Sequence, residues 1–343
     1  MINVSTELQP HILNLYPHFS SRLPMNSVLQ TAFCALLLGL LTPILCAQQQ
    51  AVERFELQPA IEASTIHAAP SDSADTPDEW LTVLSWNIKM LPRITFIEPP
   101  RARAKALAKK LAQLDYDVLL LQESFNAQGR RKMLRGLRDN YPHRVGPANY
   151  RFFSIKTNSG LWVLSKYPVK EVDEIQFSEF ANFDNKMARK GALMVEVDWN
   201  GKPVHFIVTH QNAGGPLDLR LRQSAEIKHQ LMERYSTDSI PLFVAGDFNI
   251  NGRPNGGLEP LVDTLGLPYQ HPTNWGDSRH GVDYIFYDLK NHSDWGVEIR
   301  KHRYRGSWKN NGVKPGVGHW LSDHPAISAH IHVRDFKPYP KLK

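Results

Sequence analysis

Cysteine is nearly missing from this chain: there are two in 343 residues, Cys34 and Cys46, and both lie in one apolar stretch. If that stretch is removed, the remainder can build neither a disulfide framework nor a thiolate metal site. A cysteine nucleophile is then excluded too, and no serine sits in a nucleophile elbow. Long apolar runs are equally scarce. The one candidate, T-A-F-C-A-L-L-L-G-L-L-T-P-I-L-C-A at residues 31–47, has the length and small-residue exit of a signal-peptide core. Its 17 residues also reach the lower limit for a membrane span, so a retained anchor is the alternative. Lipidation at Cys46 is disfavoured, because Leu45 is large for that signal. Positive charge is lacking at the front: residues 1–79 hold two of the 40 basic side chains, Arg22 and Arg54, and eight of the 34 acidic ones.

These absences give an expected organisation. Residues 1–47 are read as a signal peptide with Met25 as a possible true start, and 48–79 as a flexible linker rich in Ala, Ser, Pro, Asp and Gln. Residues 80–334 form one catalytic domain and 335–343 a tail. Export to the exterior or periplasm follows. Beyond position 79 the balance is 38 basic to 26 acidic, a net +12. Such a domain concentrates anions, whether nucleic acid, acidic lipid headgroups or phosphorylated substrates, although solvated surface charge explains part of the excess.

From Trp80 onward the pattern becomes regular. W-L-T-V-L-S-W-N-I and D-V-L-L-L-Q read as buried strands, with strand-like runs at 161–165, 192–197, 204–209, 242–245, 282–287 and 326–333. Helical spacing appears at 101–114, with Ala104, Leu107, Ala108 and Leu111 on one face, at the basic segment 128–140, and from about 217 to 235. N-N-G-V-K-P-G-V-G at 310–318 reads as a mobile loop, and no internal repeat is visible. Many strands and few helices in about 250 residues argue for an α/β (α+β) domain of two packed sheets with helices outside.

Polar clusters sit at the carboxyl ends of apolar strands or in adjoining turns: Asn87, Gln122-Glu123, His210, Asp247 with Asn249, and Asp323-His324, with Asp283 opening a further strand. Strand ends are where a rigid sheet aims side chains into a shared cleft. Carboxylate and amide oxygens suit Mg²⁺ better than Zn²⁺, and a histidine oriented by a carboxylate can serve as a general base. The inventory suggests metal-assisted attack of water on a phosphodiester. Taken singly, each member has an ordinary structural reading as a turn cap or a buried histidine. Their order defeats those readings.

That order, N-I-K-M-L-P, L-L-Q-E-S-F, G-L-W-V-L-S-K-Y-P-V, V-T-H-Q-N-A, V-A-G-D-F-N-I-N, D-Y-I-F-Y and L-S-D-H-P, resembles the endonuclease/exonuclease/phosphatase superfamily. Met90-Leu91-Pro92, Gly191 after Arg189-Lys190, and T-H-Q-N-A are similar to its bacterial sphingomyelinase C branch. The resemblance implies a four-layered α/β sandwich of the DNase I-like kind, with two mixed sheets flanked by helices. It implies Glu123 as principal Mg²⁺ ligand, helped by Asn87 and Asp323, with Mn²⁺ or Co²⁺ as substitutes. It implies His324 as general base, His210 as donor to the phosphoryl oxygens, Asp247 and Asn249 as orienting groups, and Asp283 as the carboxylate that fixes a histidine tautomer. Lys190 would help neutralise phosphate. The implied substrate is a phospholipid at a membrane surface, with DNA or RNA as the alternative; a monomer without an obligate protein partner is expected.

Two departures stand out. The branch's usual E-V-F-D is E-S-F-N here, with Ser124 and Asn126 in place of an apolar and an acidic residue. The membrane-dipping aromatic hairpin is replaced by Trp295, Tyr304, Trp308 and Trp320 among Arg300, Lys301, Arg303, Arg305 and Lys309, an interfacial mixture in which Trp308 and Trp320 are the candidate substrate contacts.

Overall fold

A computed structural model of the chain describes residues 79–92, 100–151, 157–253, 256–273, 281–308 and 319–333. The expected signal segment, the linker up to residue 78, the 310–318 loop and the 335–343 tail lie outside the described residues. Glu79, expected to close the linker, opens the first strand instead.

In chain order the elements are β1 (Glu79–Asn87), α1 (Pro100–Leu114), β2 (Val118–Gln122), α2 (Ala127–Leu137), β3 (His143–Val145), β4 (Trp162–Ser165), β5 (Val169–Gln176), α3 (Phe183–Met187), β6 (Gly191–Trp199) and β7 (Lys202–His210). There follow α4 (Leu217–Ile227), a π-helical turn (Lys228–Met232), α5 (Glu233–Tyr235), β8 (Leu242–Asp247), α6 (Leu258–Leu265), β9 (Asp283–Asp288), β10 (Trp295–His302), β11 (Arg305–Gly306), β12 (His319–Trp320) and β13 (Ala326–Val333). The helix expected to run to Asn140 stops at Leu137. Asn126 caps its start by accepting from the Gly129 N–H at 2.9 Å, and Arg138 closes its end.

The strands form a six-stranded sheet, β10-β13-β1-β2-β4-β3, and a five-stranded sheet, β5-β6-β7-β8-β9; β11 and β12 pair separately. Each large sheet is mixed, with a single parallel pair, β1/β2 in one and β7/β8 in the other. These central strands are apolar on both faces, as V-L-L-L-Q shows, because both faces are covered. Leu81, Val83, Val118 and Leu120 meet Leu193, Val195, Phe206 and Val208 between the sheets. On the outer face of the first sheet, Leu84, Trp86, Leu119 and Leu121 pack on Leu107 and Leu111 of α1 and Met133 and Leu137 of α2. On the outer face of the second, Met194, Ile207 and Val244 meet Ile227 of α4, Leu231 of the π-helical turn, and Leu261 and Leu265 of α6. The architecture is the expected four-layered sandwich. Among the described residues no helix is long and apolar enough to cross a membrane.

One glycine is dictated by the sheet itself. Gly246 sits at φ +143° where β8 lies against β7, and a Cβ there would come within 2.0 Å of the Thr209 carbonyl oxygen. The next residue is Asp247, so the close approach fixes where that carboxylate emerges.

Beside Tyr116, β10 and β13 carry a buried polar chain: His302 Nε2 to Ser328 Oγ at 2.9 Å, and Ser328 Oγ to His330 Nε2 at 3.1 Å. Burial, helped by the Arg300 charge, pulls both imidazoles down to about 4. Both are neutral in the folded protein and take up protons on unfolding as the pH falls below about 6.5. Their stabilising contribution is complete above about pH 6.5 and is lost toward pH 4, on the order of 3 kcal/mol per histidine. Thermal unfolding followed between pH 7 and pH 4.5 should show steep acid lability, and the His302→Gln/His330→Gln double variant should flatten that slope; an unchanged slope refutes the assignment.

Candidate active site

The site grows from strand register. In the first sheet the parallel pairing sets Asn87 beside Gln122, so Glu123 leaves β2 next to the end of β1. In the second, His210 pairs with Asp247 and Asp247 pairs with Asp283, a row of three side chains across β7, β8 and β9. The backbone then turns sharply. Lys89, Glu123 and Asn249 have φ of 48°, 55° and 52°, left-handed values that side chains with a Cβ seldom adopt. Each such residue costs on the order of 1–3 kcal/mol, and such costs persist where surrounding structure enforces them, often at functional sites.

Asn87 joins the two sheets. Its fully buried side-chain amide donates to Glu123 Oε1 and to Asp247 Oδ2, both at 3.0 Å, while Oδ1 accepts from the Lys89 N–H at 3.0 Å. That pattern fixes the amide's orientation, since the reversed one would set oxygen against two carboxylates. Burial, with Asp247's charge adding to it, raises Glu123, although Asn87 counters. Burial and the Asp283 charge push Asp247 up to about 6.

Opposite them lies His324, just ahead of β13. Its Nδ1 meets Asp283 Oδ2 at 3.0 Å, and its Nε2 faces Asp247 Oδ2 at 3.8 Å. Burial alone would lower this imidazole; the hydrogen bond and charge of Asp283, with Asp247 and Asp323, outweigh it and hold it at about 10. The Trp86 indole donates to the His324 carbonyl at 3.2 Å.

His210 is buried behind the carboxylates, its Nε2 lying 3.4 Å from Asp247 Oδ2 and 3.8 Å from Glu123 Oε1. Lys190 Nζ lies 2.8 Å from the same Nε2 and donates to the Gln211 carbonyl at 2.8 Å. Burial, then the Lys190 and His324 charges, keep His210 well below its ordinary value. The ring is neutral, with Nε2 accepting from the ammonium and Nδ1 without a hydrogen-bond partner. Burial pulls Lys190 down to about 8 against the pull of Asp247 and Glu123. The structure thus seats Lys190 behind His210, not on an open face.

The remaining expected residues separate. Asn249 belongs to the site: its N–H donates to Asp247 Oδ1 at 2.9 Å and its side chain to the Gln211 carbonyl at 3.1 Å. Asp323 does not join the other carboxylates; its Oδ2 pairs with Lys89 Nζ at 2.7 Å in a half-exposed bridge. Trp308 packs half-buried against the helix-side core. Trp320 is exposed in β12 with the Arg305 guanidinium 4.1 Å over its ring.

Sequence reading missed the residues that hold these loops. Arg103 of α1, 5 % exposed, donates to the carbonyls of Ile88 at 2.6 Å and Leu321 at 2.9 Å, and to that of Lys89. It ties the segment after β1 to the one carrying His324. Ser322 repeats the tie by donating to the Asn87 carbonyl at 2.6 Å. Arg130 of α2 does the same for Ser124 and Phe125, just beyond Glu123. Arg103 was detectable as a cation four residues before Leu107 and eight before Leu111, on the apolar stripe of the helix.

Two groups have ligand atoms within 4.8 Å of one another: Glu123, His210 and Asp247, and Asp247, Asp283 and His324. Buried carboxylates on facing sheets, raised chiefly by burial and only partly offset by the Lys190 and His324 charges, form a hard-oxygen set that a divalent cation would satisfy. The residues present therefore fit such an ion.

Comparison with known proteins gives a consistent picture. The chain is 28% identical over 268 residues to a sphingomyelinase C 2 of Leptospira interrogans, a match covering 68% of this chain and 42% of that protein. It is 29% identical over 167 residues to a sphingomyelinase C of Listeria ivanovii, covering 42% and 49%. It is 26% identical over 271 residues to a phospholipase C of Staphylococcus aureus, covering 66% and 79%. The chain thus spans about half the length of the Leptospira and Listeria proteins or less. Among solved structures, a Staphylococcus aureus beta toxin variant with bound magnesium ions superposes at a TM-score of 0.63 with 20% identity, over 75% of this chain and 100% of that one. Sphingomyelinase C from Streptomyces griseocarneus superposes at 0.60 with 19% identity, over 74% and 99%. These two share the fold. A sequence model described as the Endonuclease/Exonuclease/phosphatase family matches residues 84–324, from within β1 to His324, and the chain belongs to that family.

Proposed function

We propose that the chain is a secreted, Mg²⁺-dependent phosphodiesterase that hydrolyses sphingomyelin or a related phospholipid, releasing the phosphorylated headgroup and a neutral lipid. One observation carries this reading: Asp247 lies between two functional halves, with Glu123 and Asn87 on one side and the His324–Asp283 pair on the other. Sphingomyelinases and a phospholipase among the relatives, and magnesium bound in beta toxin, support the substrate and the ion.

Glu123 and Asp247, with Asn87 between them, are the residues that would hold the cation, and the Asp323–Lys89 bridge would have to open for Asp323 to join. When bound, such an ion polarises phosphoryl oxygens and lowers the pKa of water. The chain's own groups do the rest. His324, oriented through Nδ1 by Asp283, takes the proton of the attacking water at Nε2. At about 10 the imidazole is protonated in the ion-free site, partly because of Asp247. Asp283 contributes most to that hold and Asp247 less, so neutralising Asp247 weakens the hold on the proton at Nε2. Lys190 supplies positive charge behind the phosphoryl oxygens, and His210, neutral at rest, would become a donor to them by taking a proton from Lys190 across their 2.8 Å contact. Asn249 holds Asp247 in place. Export would follow from the apolar segment at 31–47.

Incubation with Mg²⁺ and sphingomyelin liposomes should release phosphocholine, and EDTA should stop it. The reading falls if no headgroup is released from sphingomyelin or other phospholipids, or if plasmid DNA is cleaved in their place. His324→Ala should lower kcat by about 10²–10⁴ with the melting temperature retained; undiminished turnover removes the base assignment.

The ion should also stabilise the fold, by about 2.7 kcal/mol at a hundred times its Kd. In differential scanning calorimetry, Mg²⁺ should therefore raise the melting temperature of the wild type. Glu123→Gln should respond far less. An equal response in both proteins would move the ion elsewhere.

A further inference from the structure

The helices outside the first sheet carry cations that the catalytic reading does not use. Neither α1 nor α2 contains an acidic residue. Lys105, Lys109 and Lys110 of α1 and Arg131, Lys132 and Arg135 of α2 are exposed or half-buried, and among the described residues none has an ion-pair or hydrogen-bond partner. Several exposed cations elsewhere are paired, although Arg144, Arg151 and Lys186 have no partner among the described residues either. Arg222 of α4 bridges Asp218 and Glu179, Lys170 meets Glu196 at 2.7 Å, and Lys290 meets Asp288 at 2.8 Å.

The two cation rows are brought together by packing. α1 and α2 lie side by side, and Gly136 sits so near Ala108 that a Cβ on it would come within 3.3 Å of the Ala108 Cβ. On α2, Gln128, Arg131, Lys132 and Arg135 fall on one helical stripe and line a groove of about 350 Å³. Like charges spaced four apart, as in Lys105/Lys109 and Arg131/Arg135, repel and destabilise an isolated helix. Keeping them without counter-charges is understandable if an anionic surface supplies the charge. The stripe also begins close to the site, since α2 starts just beyond Glu123 and its Asn126 cap.

We propose that the α1–α2 face is a docking surface for a bilayer containing anionic phospholipids, which holds the neighbouring site against its substrate. The choice of a lipid surface rests on the phospholipase reading. It is also favoured over single-stranded nucleic acid by the exposed aromatics: among the described residues Tyr150, Phe183 and Trp320 all lie off these helices, so no stacking platform is seen on this face.

Binding is measured without catalysis, by co-sedimenting the full chain in EDTA with vesicles of phosphatidylcholine plus phosphatidylglycerol, and with phosphatidylcholine alone. Neither vesicle contains sphingomyelin, so failure here and failure of the hydrolytic reading are separate results. The wild type should prefer the anionic vesicles and lose that preference as salt screens it. Each cation close to such a surface contributes about fivefold. The Arg131→Gln/Lys132→Gln/Arg135→Gln variant should therefore bind about 100-fold more weakly. Lys105→Gln/Lys109→Gln should lose about 20-fold, and Arg222→Gln should bind like the wild type. Hydrolysis of a water-soluble phosphocholine ester should be unchanged in the triple variant, which separates lost docking from lost chemistry. Equal binding to both vesicles, wild-type binding by the triple variant, or tighter binding to duplex DNA than to vesicles at the same salt would overturn the proposal.

Discussion

A single amide nitrogen holds the two sheets in register where it matters. Asn87 leaves the first sheet and donates to both Glu123 of the same sheet and Asp247 of the facing one. Two carboxylates drawn that close inside a protein repel, and burial penalises the charge of each. They remain together because one neutral donor satisfies both, while their backbones are fixed by two parallel strand pairs that the intervening core locks face to face. A shorter side chain at this position would not span the gap, and an aspartate would add a third repelling charge. The hunger of the site for a cation follows from the same geometry: the arrangement concentrates negative charge in a buried place, where the Lys190 and His324 charges offset it only in part.

Asp247 then becomes the shared member of two assemblies with different needs. Toward Glu123 it is half of an oxygen-rich pair; toward His324 it is a negative charge that keeps an imidazolium protonated. The second effect adds to the larger hold of Asp283 and opposes base catalysis, so neutralising the carboxylate pair also weakens the hold on the proton of the base. Lys190 adds a fixed limit on the other flank. Its ammonium sits on His210 with Gln211 as its further acceptor, and burial has already weakened its hold on the proton. A proton shift within that pair moves positive charge from the buried lysine to the ring nearest the carboxylates.

Much of this was legible in the sequence, and what was not had physical reasons. β1, β2, β7 and β8 announce themselves because strands buried on both faces are continuous apolar runs, and their terminal polar residues stand out against them. β5 was missed because V-K-E-V-D-E-I-Q is an edge strand whose outer face is charged and whose pairing slips between Glu171 and Asp173. β10 does alternate buried and half-buried positions, W-G-V-E-I-R-K-H, but its bases read as interfacial until β13 supplies the partner that buries the other face. At the site, strand-end residues were found since register alone places them. Asp323 was grouped with the ligands on the resemblance alone, whereas here Lys89 reaches it and holds it in a bridge. Arg103 and Arg130 act on backbone carbonyls, which carry no signature in sequence; Arg103 betrays itself only as a cation on the apolar stripe of its helix.

Those two arginines also decide how the helical layer and the site communicate. Arg103 projects from the buried side of α1 into the carbonyls of both loops that frame His324 and Asn87, and Arg130 leaves α2 to grip the loop after Glu123. The same two helices present Lys105, Lys109, Arg131 and Arg135 outward. A displacement of either helix would therefore reach the site through a guanidinium held by a buried hydrogen bond, with little compliant structure between. Close-packed interiors transmit strain, and these guanidinium–carbonyl contacts are direct side-chain links between the cationic helices and the loops of the site.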